Sequence, residues 1–567
     1  MSSPTIIFTL VAGPVVAYLA WTLVCLEINV REARKIGIPY IRLPIDSNNV
    51  PWTIFQPFVW NLLDSLPFAW TSYPYFVRYS RRGWHFSDRS DTHVRLGPVW
   101  ALVTPVAIYL HIADPDAIGD IFSRRADFVR PIKEYKLLEV YGPCISTAGW
   151  DDWPRHRKVL AAPFNESIME FVWDESLSQA RGMLRSWLSA TGGVPSIQKD
   201  TRTLSLNVLA STAFRKSYEF RGSADAQKGD LSSGYRDSLQ TVLDNIIPLM
   251  LVPHRLLRGP FVPKSWARIG NAAASFQDHM TNMLRDETTA LEQGKSGSGG
   301  IMSAFVHALN THSRDGHSKR GLAEKEIYGN LFVINFAGHD TTANTLAFSM
   351  LLLAANPEVQ EWILEEILEV IGDRGTEDWS HNWEYKELFP ALKRCRAILL
   401  ETLRLFPPVM ALPKWTSGKA QTLKVGNKTL TIPPGVNTTL FIRGIQSHPD
   451  YWPDPHTWKP ARWIVQSASS THQSQISAEE LLVPKPDTYF PWSDGPQNCP
   501  GKKFSEVEAV AVLACLFGRS RVSVKRATQE SDEAAQLRAL GCTQDVNMEM
   551  LLRMTNADQV TLVCEAV

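Results

Sequence analysis

Paired cysteines, excess charge and nucleotide-binding fingerprints are all missing from this chain. Its seven cysteines include no C-x-x-C pair, which argues against a zinc site or a disulfide framework and for a reducing compartment. Lysine plus arginine and aspartate plus glutamate both number 58, so the net charge is zero and nothing suggests a nucleic-acid partner. No flavin or nicotinamide fingerprint occurs. The glycine-rich run 294–300 follows no strand and indicates a linker instead of a phosphate-binding loop.

What the chain does contain is abundant apolar sequence. With 567 residues, of which 44% are hydrophobic and 20% charged, it has the composition of a globular protein with a sizeable core, in one domain or several. The uncharged run 6–26 has about the 20 residues that a membrane-spanning helix needs. Because Arg31, Arg34 and Lys35 follow this run and no basic residue precedes it, the remainder of the chain is expected in the cytosol. The sequence thus predicts a membrane anchor within residues 1–35, and a cleaved signal peptide is the alternative.

Two further segments complete the predicted organisation. Residues 36–92 are rich in proline and aromatics and predict a connector that leans on the membrane, while residues 93–567 form the main domain. Short alternating runs at His93–Leu96, Trp100–Val103 and Ile108–Ile112 predict a small sheet in a domain that otherwise shows helical spacing. The proline-punctuated apolar stretch 246–263 predicts either core or a second patch that dips into the membrane.

The stretch 490–508 contains a cysteine in a setting suited to metal binding. Glycines and prolines on both sides of Cys499 bar regular structure, and helical spacing begins directly afterwards. A thiol on a stiff loop at a helix N-terminus has its thiolate favoured by free backbone N–H groups and the helix dipole. The loop therefore predicts a thiolate ligand, and a cysteine in an ordinary turn is the alternative.

A second feature is the helical pattern from 322 to 355. Its apolar character resembles that of a membrane span, but the polar residues inside it, above all Asp340, cost about 2.5–3.5 kcal/mol on insertion and favour a buried core helix. Gly338 weakens this helix, and the Thr341 hydroxyl can bond back to the carbonyl of Ala337. The segment A-G-H-D-T-T predicts a notch with an acid and a hydroxyl beside it, or simply a structural kink.

Two short motifs place a possible partner for an arginine at helical spacing from it. Trp153 and Arg157 are four residues apart in W-P-R-H-R-K, as in a surface cation–π pair. Glu401 and Arg404 lie one turn apart in E-T-L-R, a pairing that also occurs widely by chance.

Taken in order along the chain, these motifs resemble those of the cytochrome P-450 family. The cysteine loop is similar to the haem-ligand signature of that family at five positions: Trp492, Gly495, Gln497, Cys499 and Gly501. Trp492 replaces the commoner phenylalanine, and Gln497 replaces a basic residue that usually meets a haem propionate, so other residues must supply that charge. The anchor matches the microsomal type, and the loop is most similar to those of filamentous-fungal members.

The resemblance implies a mainly α-helical fold with a small β-region and a haem b cofactor with Cys499 as axial ligand. Asp340 and Thr341 would then relay protons to bound oxygen. Trp153, Arg157 and Lys414 would meet the propionates, and Gln497 would donate a neutral hydrogen bond. The Glu–Arg–Arg network of the family would consist of Glu401, Arg404 and Arg462, with the last residue in P-A-R-W.

The resemblance also implies partners. Electrons would come from an NADPH-dependent diflavin reductase at the endoplasmic reticulum membrane, and a basic patch of Arg155, Lys158, Lys502 and Lys503 would suit an acidic reductase as well as it suits solvated surface charge. The substrate would be a lipophilic small molecule, in a pocket lined from 128–145, 214–263, Phe332, Phe336 and 409–412. Many fungal members tailor secondary metabolites.

Two other functions fit parts of the sequence. The same fold could rearrange or dehydrate an oxygenated substrate without using O2, but the pair Asp340–Thr341 argues against this. A non-catalytic, membrane-anchored lipid-binding module is the candidate from another class, and Cys499 argues against it.

Overall fold

The computed structural model describes residues 3–47, 49–214, 217–225, 235–294, 300–315, 320–372, 383–467, 475–548 and 550–567. The predicted linker 294–300 falls mostly outside the described residues, and side chains are described from Gly13 onward.

Helices form most of the described chain. They are α1 (Ser3–Ile36), α2 (Val50–Asp64), α3 (Tyr75–Arg78), α4 (Trp84–Asp88), α5 (Asp91–Leu96), α6 (Pro115–Ser123), α7 (Ile132–Tyr135), α8 (Trp153–Ala161), α9 (Glu166–Ser189), α10 (Ile197–Phe214), α11 (Tyr235–Asp244), α12 (Ile246–Leu251), α13 (Lys264–Glu292), α14 (Ile301–Asp315), α15 (Glu324–Ala355), α16 (Pro357–Ile371), α17 (Tyr385–Ala391), α18 (Lys393–Leu405), α19 (Ile442–Gln446), α20 (Lys502–Phe517) and α21 (Asp532–Gln544).

All the strands are short. They are β1 (Tyr40–Arg42), β2 (Val99–Val103), β3 (Ile108–Ile112), β4 (Leu412–Trp415), β5 (Gln421–Val425), β6 (Lys428–Ile432), β7 (Asn437–Leu440), β8 (Ile464–Gln466), β9 (Glu479–Leu481), β10 (Ser520–Val524), β11 (Val546–Met548), β12 (Leu552–Met554) and β13 (Leu562–Ala566). One mixed sheet has the order β1-β2-β3-β7-β4, and the remaining strands pair two by two. The predicted mainly α-helical fold with a small β-region is confirmed.

Two of the three runs that were predicted to be strands are strands in the structure. Strands β2 and β3 form at the expected positions, but His93–Leu96 belongs to helix α5, so that prediction is wrong. Thr92 and His93 are both buried, and both side chains make hydrogen bonds inside the protein. The Thr92 hydroxyl donates to Asp88 at 2.7 Å, and Trp100 Nε1 donates to His93 Nε2 at 3.3 Å. Tertiary contacts therefore decide the local conformation.

Helix α15 is the central element of the core. It packs against α10, α18, α20 and α21, and nearly all its side chains are buried. The Glu326 carboxylate accepts the backbone N–H of Ala323 at 2.8 Å and so caps the first turn. Apolar residues lie on most sides of this helix because protein encloses most of its length, which confirms a core helix instead of a membrane span.

Helix α1 divides into two parts. From Gly13 to about Val24 its large apolar side chains are exposed, whereas Leu26, Val30, Ala33 and Ile36 are buried against the five-stranded sheet. Among the described helices, only α1 is long and apolar enough to cross a membrane, with a mean hydropathy of 1.5 over its most apolar window. The chain thus carries one N-terminal candidate for a membrane anchor, and its last turns belong to the folded domain.

Candidate active site

The cysteine loop is closed by backbone hydrogen bonds before helix α20 begins. The N–H of Cys499 donates to the carbonyl of Trp492 at 2.8 Å, and Gly495 to Gln497 form one short 3-10 turn. Gly495 has φ of +66°, and a Cβ atom there would lie 3.2 Å from the carbonyl oxygen of Phe122. Only glycine fits both demands, which explains this residue in the motif. A Cβ at Gly501 would lie 3.8 Å from the Cys499 sulfur, an ordinary contact.

Cys499 is the one cysteine of the seven with an exposed side chain. That exposure is local, because the surrounding protein still desolvates the thiol. Desolvation raises the pKa of Cys499 above its ordinary value, although the Gly501 N–H and the charge of Arg157 act in the opposite direction. The loop by itself therefore does not favour the thiolate as the sequence predicted. A metal ion bound to the sulfur would favour the thiolate.

A buried thiol such as that of Cys395 is less suited to bind a metal ion. Cys395 on α18 is fully buried, and desolvation together with the neighbouring Glu366 carboxylate raises the pKa of its thiol well above the ordinary value. The Cys395 N–H also donates to Glu366 at 3.0 Å, which ties this residue into the core. Its position is that of a structural cysteine.

Three cationic side chains converge on the two residues before Cys499. Arg157, on α8, donates to the carbonyl and side-chain oxygens of Asn498 at 2.8 and 2.7 Å. Lys414, on β4, donates to Gln497 Oε1 at 3.0 Å, and Arg130 donates to the Gln497 carbonyl at 3.4 Å. Residues distant in sequence thus form a cationic cradle, defined as Arg130, Arg157 and Lys414, around the cysteine loop.

The cradle lacks an anion of its own. Among the residues that the structure describes, no carboxylate forms an ion pair with these three side chains. Desolvation, followed by repulsion from Arg130, lowers the pKa of Lys414 to about 8. Desolvation likewise lowers the pKa of Arg130 and of Arg157. Lys414 is buried and the two arginines are half-buried, so a bound anion would stabilise these mutually repelling cations.

These residues fit a haem with two propionates. Trp153 is buried, and its Nε1 has no hydrogen-bond partner within the described chain, so this N–H can donate to a bound group. The cradle supplies the positive charge and Cys499 a soft ligand for iron. The amide oxygen of Gln497 accepts the hydrogen bond from Lys414 instead of pointing to solvent. Lys414 therefore places a positive charge beside a loop position that has none of its own.

The acid and hydroxyl of helix α15 face different surroundings. Thr341 is half-buried with its hydroxyl exposed, and this hydroxyl donates to the carbonyl of Ala337 at 2.9 Å, as the sequence predicted. Asp340 is buried, and its carboxylate pairs with Arg553 and, at 3.2 Å, with Arg202. Consecutive residues on a helix point about 100° apart. The structure therefore does not bring these two side chains together.

The surroundings of Asp340 keep it charged. Burial raises the pKa of Asp340, but interactions with His339, Arg202 and Arg553 outweigh burial and leave the pKa below its usual value. Arg202 lies on α10 and Arg553 on β12, so three elements meet at this carboxylate. Arg202 also approaches Asp244 at 3.7 Å.

Glu401, Arg404 and Arg462 form one buried cluster behind the loop. Glu401 pairs with Arg404 at 2.8 Å and with Arg462 at 3.0 Å. Trp463 Nε1 adds a hydrogen bond of 2.9 Å to the same carboxylate. Arg404 further donates to backbone carbonyls of Gln446, Pro455 and Thr457, so it connects α18 to the chain that leads to the cysteine loop.

Part of the predicted surface and pocket differs from expectation. Arg155 forms ion pairs with Glu326 at 2.6 Å and with Asp152 at 2.7 Å, and Lys503 pairs with Glu166 at 2.5 Å. Lys158 and Lys502 are therefore the members of the basic patch that are exposed and form no ion pair within the described part of the chain. Phe332 is fully buried and stacks on Phe336 within the core. The stretch 246–263 is mixed, with Leu249 buried and Phe261 98% exposed.

Several residues of the site have no signature in the sequence. Arg130, Asn498, Arg202 and Arg553 were not predicted, because their partners lie far away in the chain. The bond from Arg553 to Asp340, for example, spans 213 positions. No local spacing could have indicated it.

A mainly helical fold with a cysteine loop inside a cationic cradle has the features of a haem-thiolate enzyme. A family model described as cytochrome P-450 matches residues 67–547. The chain therefore belongs to the cytochrome P-450 family. A cytochrome P-450 monooxygenase of Arthrobotrys oligospora is 27% identical over 566 residues and covers 95% of both chains.

A second relative is the phomenoic acid biosynthesis cluster cytochrome P-450 monooxygenase of Leptosphaeria maculans, 27% identical over 89% of this chain and 90% of its own. The crystal structure of a cytochrome P-450 haem domain matches with a TM-score of 0.61 at 15% identity, over 84% of this chain and 91% of that one. The family match and the relatives named as monooxygenases show that the protein is an oxidoreductase that incorporates molecular oxygen.

Proposed function

We propose that this protein hydroxylates or epoxidises a lipophilic small molecule, with electrons from an NADPH-dependent diflavin reductase. The observation that carries the proposal is the cationic cradle around the Cys499 loop, which lacks an anion among the described residues. It fits a haem b with Cys499 as the axial ligand. Haem held by a thiolate supplies O2 activation and O–O bond cleavage.

The protein would hold this cofactor through distinct groups. Arg157, Arg130, Lys414 and the Nε1 of Trp153 would bind the propionates with charged or neutral hydrogen bonds. Trp492 and Gly495 shape the loop that presents the sulfur, and Gly501 donates its N–H to it. Glu401, Arg404 and Arg462 would keep the loop and α18 in register.

On the oxygen side, Thr341 and Asp340 would perform separate tasks. The exposed hydroxyl of Thr341 is both donor and acceptor, so it can hold a proton or a water at the open face of α15. The ionised Asp340 lies behind the helix, with Arg202 and Arg553, and would take up protons from the solvent side when these partners move.

The proposed context is secondary metabolism at a membrane. The relative from Leptosphaeria maculans is named for a biosynthesis cluster, which supports a tailoring reaction on a lipophilic intermediate. Residues 1–35 would anchor the chain in the endoplasmic reticulum, residues 36–92 would connect, and residues 93–567 would form the catalytic domain on the cytosolic side. Lys158 and Lys502 on the thiolate side would contribute to reductase docking.

Two measurements test this function. The reduced, CO-bound protein should absorb at the position typical of thiolate-ligated haem, and Cys499→Ser should lose that band whereas Cys395→Ser should keep it. Incubation with a reductase, NADPH and an extract of the producing cell should add one oxygen atom from labelled O2 to a lipophilic compound. A retained thiolate band in Cys499→Ser would refute the ligand, and a product without labelled oxygen would support O2-independent rearrangement instead.

A further inference from the structure

The side of helix α2 whose side chains form hydrogen bonds faces the rest of the protein. Trp52 Nε1 donates to the carbonyl of Ser80 at 2.7 Å, and Gln56 accepts the N–H of Arg82 at 2.9 Å. One turn further on, Trp60 is buried under the guanidinium of Arg81 at 4.6 Å. The spacing of Trp52, Gln56 and Trp60 places all three on one helix face.

The second end of α2 is tied down on the same side. Arg81 forms two hydrogen bonds, of 3.0 and 2.9 Å, with the carboxylate of Asp64. The Tyr73 hydroxyl donates to the carbonyl of Leu63 at 2.8 Å. Both ends of the helix are therefore fixed to the chain segment 73–82, and the helix cannot leave the domain as a separate span.

The opposite face of α2 is apolar and exposed. Ile54, Phe55, Phe58 and Leu62 recur at helical spacing, and Phe58 and Leu62 are 73% and 67% exposed. No charged residue occurs between Asp46 and Asp64. A surface helix in water shows the reverse arrangement, with its charges outside, so this face requires an apolar covering.

The membrane anchor lies next to this face. Asn49, the N-cap of α2, accepts the Trp52 N–H at 3.1 Å, and its amide donates to the hydroxyl of Tyr18 at 3.1 Å. Tyr18 belongs to the exposed apolar part of α1, which continues to about Val24. The exposed surfaces of α1 and α2 are thus joined through one hydrogen bond.

We propose that α2 lies in the plane of the lipid bilayer, with Ile54, Phe55, Phe58 and Leu62 among the acyl chains close to the head groups. With 15 residues the helix is about 22 Å long, shorter than the roughly 30 Å hydrocarbon core, and both its ends are held on one side. Lipid is the occupant because the face adjoins α1 and carries no charge that a protein partner could pair. Trp and Tyr residues around it suit the interface. The proposal rests on α1 as the anchor.

The test is photo-crosslinking of the full-length protein in phosphatidylcholine nanodiscs. p-Benzoylphenylalanine replaces Phe58 in one variant and Leu62 in another, and each variant must retain the wild-type haem spectrum. The matched control is Leu368 on α16, which is 60% exposed but flanked by Glu365 and Glu369. Mass spectrometry should find lipid adducts at positions 58 and 62 at least tenfold above position 368.

Two outcomes would overturn the proposal. Lipid adducts at 58 and 62 no more frequent than at 368 would mean that the face is in water. Adducts to a second copy of the chain would mean that α2 is a self-association surface. Because the readout does not involve turnover, an inactive enzyme with the same adducts would refute the proposed reaction and leave the membrane contact in place.

Discussion

Lys414 Nζ donates a hydrogen bond of 3.0 Å to Gln497 Oε1. The loop position that usually carries a cation in this family therefore holds an acceptor, and the cation comes from β4 instead. Gln497 binds Lys414 near Arg130 and Arg157, in spite of the desolvation and the repulsion from Arg130 that lower the pKa of Lys414 to about 8. The exchange of a charge for an amide is thus compensated within the site.

Lys414→Gln should weaken haem binding and lower the reduction potential. The variant removes a cation from beside the propionates, and hydrogen bonds to charged groups contribute about 1.5–3 kcal/mol each. Haem content and a spectroelectrochemical titration measure both effects. Lys419→Gln, in the exposed turn after β4, removes the same charge away from the site and should leave both unchanged. Equal values for the two variants would show that Lys414 does not contact the haem.

Arg553→Gln should destabilise the protein most at neutral pH. The pKa of Asp340 lies below its usual value, so its ion pairs stabilise the fold above about pH 4 and that contribution is lost as the pH falls through the folded pKa. The variant should lose about 1–3 kcal/mol at pH 7, less than the 3–5 kcal/mol of a fully orphaned buried charge because Arg202 remains. Urea midpoints at a series of pH values measure this. A difference that stays constant down to pH 3 would contradict the charge interaction.

Thr341→Ala should uncouple oxygen consumption from product formation and release peroxide, because the exposed hydroxyl at the open face of α15 is lost. Thr345→Ala is the matched control, since its buried hydroxyl makes the same back-bond, to the carbonyl of Thr341 at 2.8 Å. Product and peroxide per NADPH oxidised are the quantities to compare. If both variants couple equally well, Thr341 only shapes the helix.

Variants of the Glu401 cluster should differ in severity. Arg404→Ala leaves a fully buried carboxylate short of its main partner and should yield little holoprotein, at a cost of about 3–5 kcal/mol. Arg462→Ala removes a side chain nearer the surface and should cost less. Lys459→Ala is the control, because only its backbone N–H bonds to Glu401, at 2.9 Å. The yield of haem-loaded protein after purification ranks the three variants. A normal yield of Arg404→Ala would show that the cluster does not stabilise the fold.

The orientation in the membrane can be read from glycosylation. Three acceptor sequons begin at Asn165, Asn427 and Asn437. Asn437 lies within β7 and the side chain of exposed Asn165 caps α9, so the exposed hairpin turn at Asn427 is the acceptor with a free side chain in the described chain. If the domain faces the cytosol, as proposed, the protein should show no endoglycosidase-sensitive mass. A mass shift that Asn427→Gln abolishes would place the domain in the lumen.

Short-range patterns in the sequence were enough to predict most of the architecture and the family. The N-terminal apolar run, the helical pattern of α15, the turn residues around Cys499 and the spacing of Glu401 and Arg404 all act over a few residues, where side-chain type and backbone geometry decide the outcome. These features survive in the structure because burial and local propensity agree there.

Only the tertiary structure decided the electrostatics of the site. The convergence of Arg130, Arg157 and Lys414 on the cysteine loop, and of Arg202 and Arg553 on Asp340, joins segments that are far apart in the chain. The raised pKa of the Cys499 thiol reflects desolvation by the folded protein, which outweighs the Gly501 N–H and the charge of Arg157. Burial and long-range charge depend on which distant elements pack together, and no spacing within one motif contains that information.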